Sequence, residues 1–244
     1  MCTSCPPFSR RAFFGGALTL PLWHGGRGAG LVEPCLRLPV PGVAVTLDAC
    51  PGHFDERIAN TLIACNIPAT IFVTETWMRW NPDGLALLKS RPDLFKLENH
   101  GARHIPPVLG TVPIYGIAPA GTLDAIRAEV LDGAAAITAA TGKRPTWYRA
   151  AAGIYSPAAI PAIEAMGFKI AGYSLNSDEG ASLPARTVAA RITAAKNGDV
   201  IEGHINQPKR DSGAGIAAGL KALHAAGTSF VRLDQLPTSI DVTV

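Results

Sequence analysis

From residue 43 onward, short β-branched apolar runs alternate with alanine-rich stretches of helical period, and this alternation constrains the fold most. The strand-like runs are VAVTL (43–47), ATIFVT (69–74), FKLEN (95–99), TWYRA (146–150), KIAGYSL (169–175), DVIEGH (199–204) and SFVRL (229–233). Helix-like segments lie between them at 55–65, 83–90, 123–141, 157–166, 185–197 and 215–227. In the third of these, Ile126, Val130 and Ile137 share one helical face. Strands alternating with helices imply βαβ units and a parallel sheet. No G-x-G-x-x-G follows the first strand, so a dinucleotide-binding sheet lacks its main support. The expectation is an α/β chain closed into a (β/α) barrel of about seven strands, for which 244 residues is an ordinary length.

The N-terminus reads as an address. Arg10 and Arg11 precede an apolar run from Ala12 to Trp23, shorter than the roughly 20 residues that span a bilayer. A basic start before a short apolar stretch marks a secretory signal, and the paired arginines resemble a twin-arginine signal. A buried N-terminal helix is the alternative, opposed by Gly15, Gly16 and Pro21. Residues 1–30 are therefore expected to be a signal segment and 31–244 the barrel domain. The protein is expected to be exported, periplasmic or extracellular, with no stable membrane anchor. A formal charge of +3, with no basic block interleaved with aromatics, argues against nucleic acid. Cys2 and Cys5 would leave with the signal. The remaining Cys35, Cys50 and Cys65 allow one disulfide and a free thiol, or three thiols.

In a barrel the site lies at the carboxyl ends of the strands. The unusual residues fall there: Asp48, His100, Arg149, the stretch from Asn176 to Glu179, and His204 each end or closely follow an expected strand. The stretch ENHGARHIPP holds two of the chain's six histidines, His100 and His104. Neutral imidazoles ligate zinc, and two placed four apart meet one ion if the backbone turns helically. Asp48 is the nearby carboxylate. A metal at such a site supports hydrolysis, with a carboxylate taking a proton from water and an acid protonating the departing amine. Asp48 suits the base and His204 the acid; Arg149 either orients a carboxylate or binds substrate, or forms a structural ion pair.

VAVTLDACPG, ENHGARH, YRAAAG, YSLNSDEG and VIEGHIN stand in the same order, at similar spacing, as five motifs of the polysaccharide deacetylases. The chain resembles that family, with its NodB-like domain (carbohydrate esterase family four), over roughly residues 40–236. The resemblance implies a distorted (β/α) barrel and hydrolysis of N-acetyl, occasionally O-acetyl, groups on chitin-like or peptidoglycan sugars. It also implies a divalent metal, most often zinc, and an N-acetylated glycan as partner. Position by position it implies His100 and His104 as metal ligands, Asp48 as base, Arg149 as its holder and His204 as acid.

Two departures stand out. Where the family carries a second ligating aspartate this chain has Ala49, which leaves Asp48 itself, Cys50, His53, Asp55 or waters to complete the metal site. In the fourth motif Asp178 or Glu179 must supply the carboxylate that tunes the acid, with Gly180 in place of a tryptophan. ETWMRWNPDG is expected to be a rim loop whose Trp77 and Trp80 either stack on sugars or pack in the core. Other readings are a non-catalytic carbohydrate-binding relative, favoured by Ala49, and an amidase or esterase on a non-sugar acyl substrate.

Overall fold

The structure, a computed structural model, describes residues 30–236. The expected signal segment falls, but for Gly30, outside the described residues. Seven strands form one sheet: β1 (Ala44–Ala49), β2 (Ala69–Val73), β3 (Phe95–Asn99), β4 (Trp147–Tyr148), β5 (Lys169–Ile170), β6 (Leu175–Asn176) and β7 (Val200–His204). All pairings between them are parallel, in the order β5-β4-β3-β2-β1-β7-β6. The helices are α1 (Glu56–Ala64), α2 (Glu75–Trp80), α3 (Pro82–Ser90), α4 (Leu123–Thr141), α5 (Ala159–Glu164), α6 (Ala185–Thr193) and α7 (Ser212–Ala225). Among the described residues no helix is long and apolar enough to cross a membrane.

The two outer strands, β5 and β6, are the ends of one continuous stretch, and that stretch closes the barrel. The Ala171 N–H donates to the Tyr148 carbonyl of β4, whereas the Ser174 N–H donates to the Val200 carbonyl of β7. KIAGYSL, expected as one strand, is thus two short ones that serve opposite edges of the sheet. At the seam the N-terminal segment lies alongside: the Tyr173 N–H donates to Pro34 and the Leu38 N–H to Gly198. A Cβ on Gly172 would fall 2.6 Å from the Pro34 carbonyl carbon, so the approach needs glycine. The expected strand at 229–233 is a single parallel bridge, Val43 to Phe230. From Ala44 onward β1 is hydrogen-bonded to β2 on one side and β7 on the other, which leaves no ladder for a further strand.

Alternation along the strands sorts the side chains. Val45, Leu47, Ala49, Ile71, Val73 and Ile201 pack outward with apolar residues of the helices, among them Ile58, Leu62, Ile192 and Leu220. Ala44, Phe72, Trp147 and Val200 pack together inside the barrel. The same inward parity carries Asp48 and His204, which are register partners, to the carboxyl ends of β1 and β7. The substitution Gly172→Ala is expected to lower stability by about 1–3 kcal/mol, because the new methyl meets a backbone carbonyl rather than a movable side chain. Urea unfolding measures it; an unchanged midpoint would show that the seam gives way freely.

Candidate active site

The histidine pair is built by a clamp. His100 follows β3, and its Nδ1 bonds the Arg149 carbonyl at 2.9 Å. That contact places the proton on Nδ1 and leaves Nε2 as the lone-pair donor facing the cleft. His104 sits in an irregular loop with a φ of +66°, not in the helical turn that the spacing suggested. A left-handed non-glycine residue costs on the order of 1–2 kcal/mol and needs support. Glu129 of α4 supplies it: the N–H groups of Arg103 and Ile105, on either side of His104, both donate to its Oε1 at 2.7 and 3.2 Å. Helix α4 comes this close because Gly133 has no side chain; a Cβ there would lie 2.6 Å from the Gly101 carbonyl carbon.

The clamp sets the two imidazoles with ring centroids 5.0 Å apart. Cys50 completes the cluster, its Sγ 3.3 Å from His100 Nε2, and donor atoms of Cys50, His100 and His104 all lie within 4.8 Å of one another. Burial disfavours the Cys50 thiolate, but His104 and His100 outweigh it and hold the thiol well below its usual range. A thiolate with two imidazoles is a donor set suited to zinc. The set fits the divalent metal that the family resemblance implies. Ala49 packs outward in the helix layer, so the residue next along the chain, Cys50, is the one that turns into the cleft.

Asp48 and Arg149 form a buried pair beside this cluster. The Arg149 Nη1 donates to Asp48 Oδ1 at 2.9 Å, its Nη2 and Nε donate to the carbonyls of Gly172 and Ala171, and its guanidinium lies 4.3 Å over the Phe72 ring. Burial alone would raise the Asp48 carboxyl; Arg149, with His100 and His204, keeps it below its usual value. The second oxygen of Asp48 lies 3.7 Å from His100 Nε2.

His204 stands beside Asp48, at the paired position of β7. Its Nδ1 meets Asp178 Oδ1 at 2.9 Å and Glu202 Oε1 at 3.3 Å, and its backbone N–H donates to Asp178 Oδ2. Burial would pull the imidazole down, but the carboxylates of Asp178 and Glu202 push it well above its ordinary value. Glu202 is 3% exposed with its Oε2 unpartnered, and burial pushes its carboxyl up to about 8 against the pull of His204. Asp48, Cys50, His100, His104, Glu202 and His204 all line one cleft of about 750 Å³.

The remaining sequence candidates go elsewhere. Asp55 is the N-cap of α1, accepting from the Arg57 backbone and holding its guanidinium through both oxygens, so it is no metal ligand. His53 is exposed and outside the cleft lining. Of the two carboxylates in the fourth motif, Asp178 serves His204, whereas Glu179 pairs with Arg191 at 2.7 Å on the surface. The expected rim loop holds α2, which buries Trp77 completely, edge-on against Phe54 at 5.8 Å. Trp77 therefore belongs to the core and meets no sugar; Trp80 is 55% exposed but does not line the cleft. Cys50 and Cys65 are free thiols, which removes a disulfide between them. Glu129 and Glu202 escaped sequence reasoning. Glu202 was open to the period-two argument, because it shares the face of His204 on β7.

Seven parallel strands curl into a barrel that carries Asp48 and His204 side by side at their carboxyl ends. The family profile described as polysaccharide deacetylase matches residues 37–171, more than half of the chain, and the chain belongs to that family. No curated protein matches the chain significantly. Among solved structures it is similar to a peptidoglycan N-acetylglucosamine deacetylase, at 20% identity over 84% of this chain and 93% of that one, with a TM-score of 0.68. It also resembles a peptidoglycan deacetylase from Bacillus subtilis (21% identity, 81% and 90% covered, TM-score 0.64). A third similar structure is a CE4-family pseudoenzyme from Bacillus anthracis (16% identity, 85% and 70% covered, TM-score 0.63). At these identities the structures establish the shared barrel.

Replacing Glu129 with alanine frees the backbone on both sides of His104. Divalent-cation affinity, measured by competition with a chromogenic chelator, is expected to fall about tenfold or more, as when the support behind a ligand is removed. Undiminished affinity would mean that the loop holds its shape unaided.

Proposed function

We propose that the protein is a metal-dependent hydrolase that removes N-acetyl groups from a glycan of the chitin or peptidoglycan type. The observation that supports it is the juxtaposition of two prepared groups in one cleft. Asp48, held ionised by Arg149, stands beside His204, held protonated by Asp178, at paired positions of β1 and β7. A divalent cation held by Cys50, His100 and His104, most simply zinc, would polarise the acyl carbonyl and lower the pKa of a water. Asp48 takes the proton from the attacking water, and Arg149 keeps that carboxylate oriented. His204, anchored through Nδ1, gives its Nε2 proton to the departing amine. Solved relatives named as peptidoglycan deacetylases support the choice of a glycan amide. Export is part of the proposal, supported by Arg10 and Arg11 ahead of the apolar run at 12–23.

Acetate release from chitin oligomers and from peptidoglycan fragments tests the activity. His204→Ala is expected to lower it by about 10²–10⁴-fold with the metal retained. Cys50→Ser is expected to shed metal, whereas Asp55→Asn keeps it. A different reading is favoured by Ala49: a carbohydrate-binding relative without turnover. Bound metal with no acetate from either glycan would establish that reading, and turnover of small acyl amides alone would point to an amidase.

The pH dependence has a defined sign. His204 must carry its proton to act as acid, so activity persists until the pH rises through its raised pKa. Asp178→Asn removes the principal carboxylate partner and lowers that pKa. The alkaline limb of kcat/KM is therefore expected to move to lower pH in the variant. A limb that stays in place would assign it to another group.

A further inference from the structure

Between the histidine loop and α4 the chain folds back on itself at the mouth of the cleft. Leu109 bridges Gly121, and further out Ile114 and Ile117 exchange two backbone hydrogen bonds of 2.9 Å. The turn they enclose is Tyr115–Gly116, with φ of +49° and +82°. Two positive φ values define a type I′ turn, whose first position favours asparagine, aspartate or glycine. Tyrosine there costs on the order of 1–2 kcal/mol, and the turn itself gains nothing from a ring. Yet Tyr115 is 82% exposed, so burial gives back little. Strain kept at an exposed aromatic side chain points to a use outside the fold.

Tyr115 and Ile117 line the same cleft as the catalytic groups, together with the polar side chains of Asn176, Glu179, Gln207 and Arg210. A cleft of about 750 Å³ stands toward the large end of ligand sites, which run from roughly 300 to 1,000 Å³. An aromatic side chain and hydrogen-bonding groups lining one cleft match a pyranose, whose C–H face is apolar and whose rim carries hydroxyls. We infer that Tyr115 is the stacking platform for a sugar ring beyond the reacting residue, so that the site takes an extended glycan in preference to a single acetylated sugar. The inference rests on the deacetylase reading for the kind of ligand, and it gives the platform role to Tyr115 in place of Trp77.

Acetate release is measured on the N-acetylglucosamine tetramer and monomer with the full chain. Tyr115→Ala is expected to raise KM for the tetramer about tenfold, the effect of a lost aromatic anchor worth ~1.4 kcal/mol. The tetramer-to-monomer ratio of kcat/KM should fall by the same factor, and Tyr115→Trp should restore it. Equal loss on both substrates, no loss on the tetramer, or no restoration by tryptophan would overturn the platform. If the wild type releases acetate from neither sugar, the deacetylase reading fails by itself and calorimetry decides the platform. Tetramer binding that weakens about tenfold in Tyr115→Ala upholds it. Unchanged binding, or no binding to the wild type, ends it and leaves the hairpin tip, where Val112 is also exposed, as a contact for another macromolecule.

Discussion

Arg149 is the residue through which the barrel and its site become one object. Its carbonyl orients His100, its Nη1 holds Asp48, and its Nη2 and Nε hold the carbonyls of Gly172 and Ala171 at the seam. A buried guanidinium is expensive to desolvate, and here its donors meet a carboxylate and two carbonyls while its flat face covers Phe72. Breaking one side of such a pair typically costs about 3–5 kcal/mol. The structural ion pair and the orienting of a carboxylate, which the sequence offered as alternatives, are the same contact.

With alanine at position 49, the third candidate donor moves one residue along the chain. Strand parity turns Ala49 outward into the apolar layer, and Cys50 comes round to the two histidines. A thiolate in place of a carboxylate gives a softer donor set, suited to zinc over magnesium or calcium. In the same cleft Asp178 and Glu202 both approach Nδ1 of His204. Glu202, almost fully buried and with its Oε2 unpartnered, lies within 4.8 Å of both Asp48 and His204.

Much of this was legible in the chain, for identifiable reasons. Period-two strands and period-3.6 helices revealed the barrel, and the rule that barrel sites crown the carboxyl ends gathered Asp48, His100, Arg149 and His204. What escaped depended on distance through space. Nothing local distinguishes Asp178 from Glu179; the backbone turn that aims one at His204 sends the other to Arg191. Trp77 looks like a rim aromatic until the helix that Thr74 caps carries it into the core. Glu129 lies in an amphipathic helix as an ordinary polar residue, and only the approach of Gly133 to the histidine loop reveals what it grips. KIAGYSL has the composition of one strand; the Pro34 segment pressing on Gly172 divides it.

That divided strand has a consequence for how the molecule meets its own kind. An open parallel sheet exposes two rows of unpaired amide groups, each a template for a neighbouring chain. Here the two margins of the sheet are one uninterrupted stretch, with the 32–38 segment laid beside it. Part of each margin is thereby covered, which leaves less backbone open to a foreign strand.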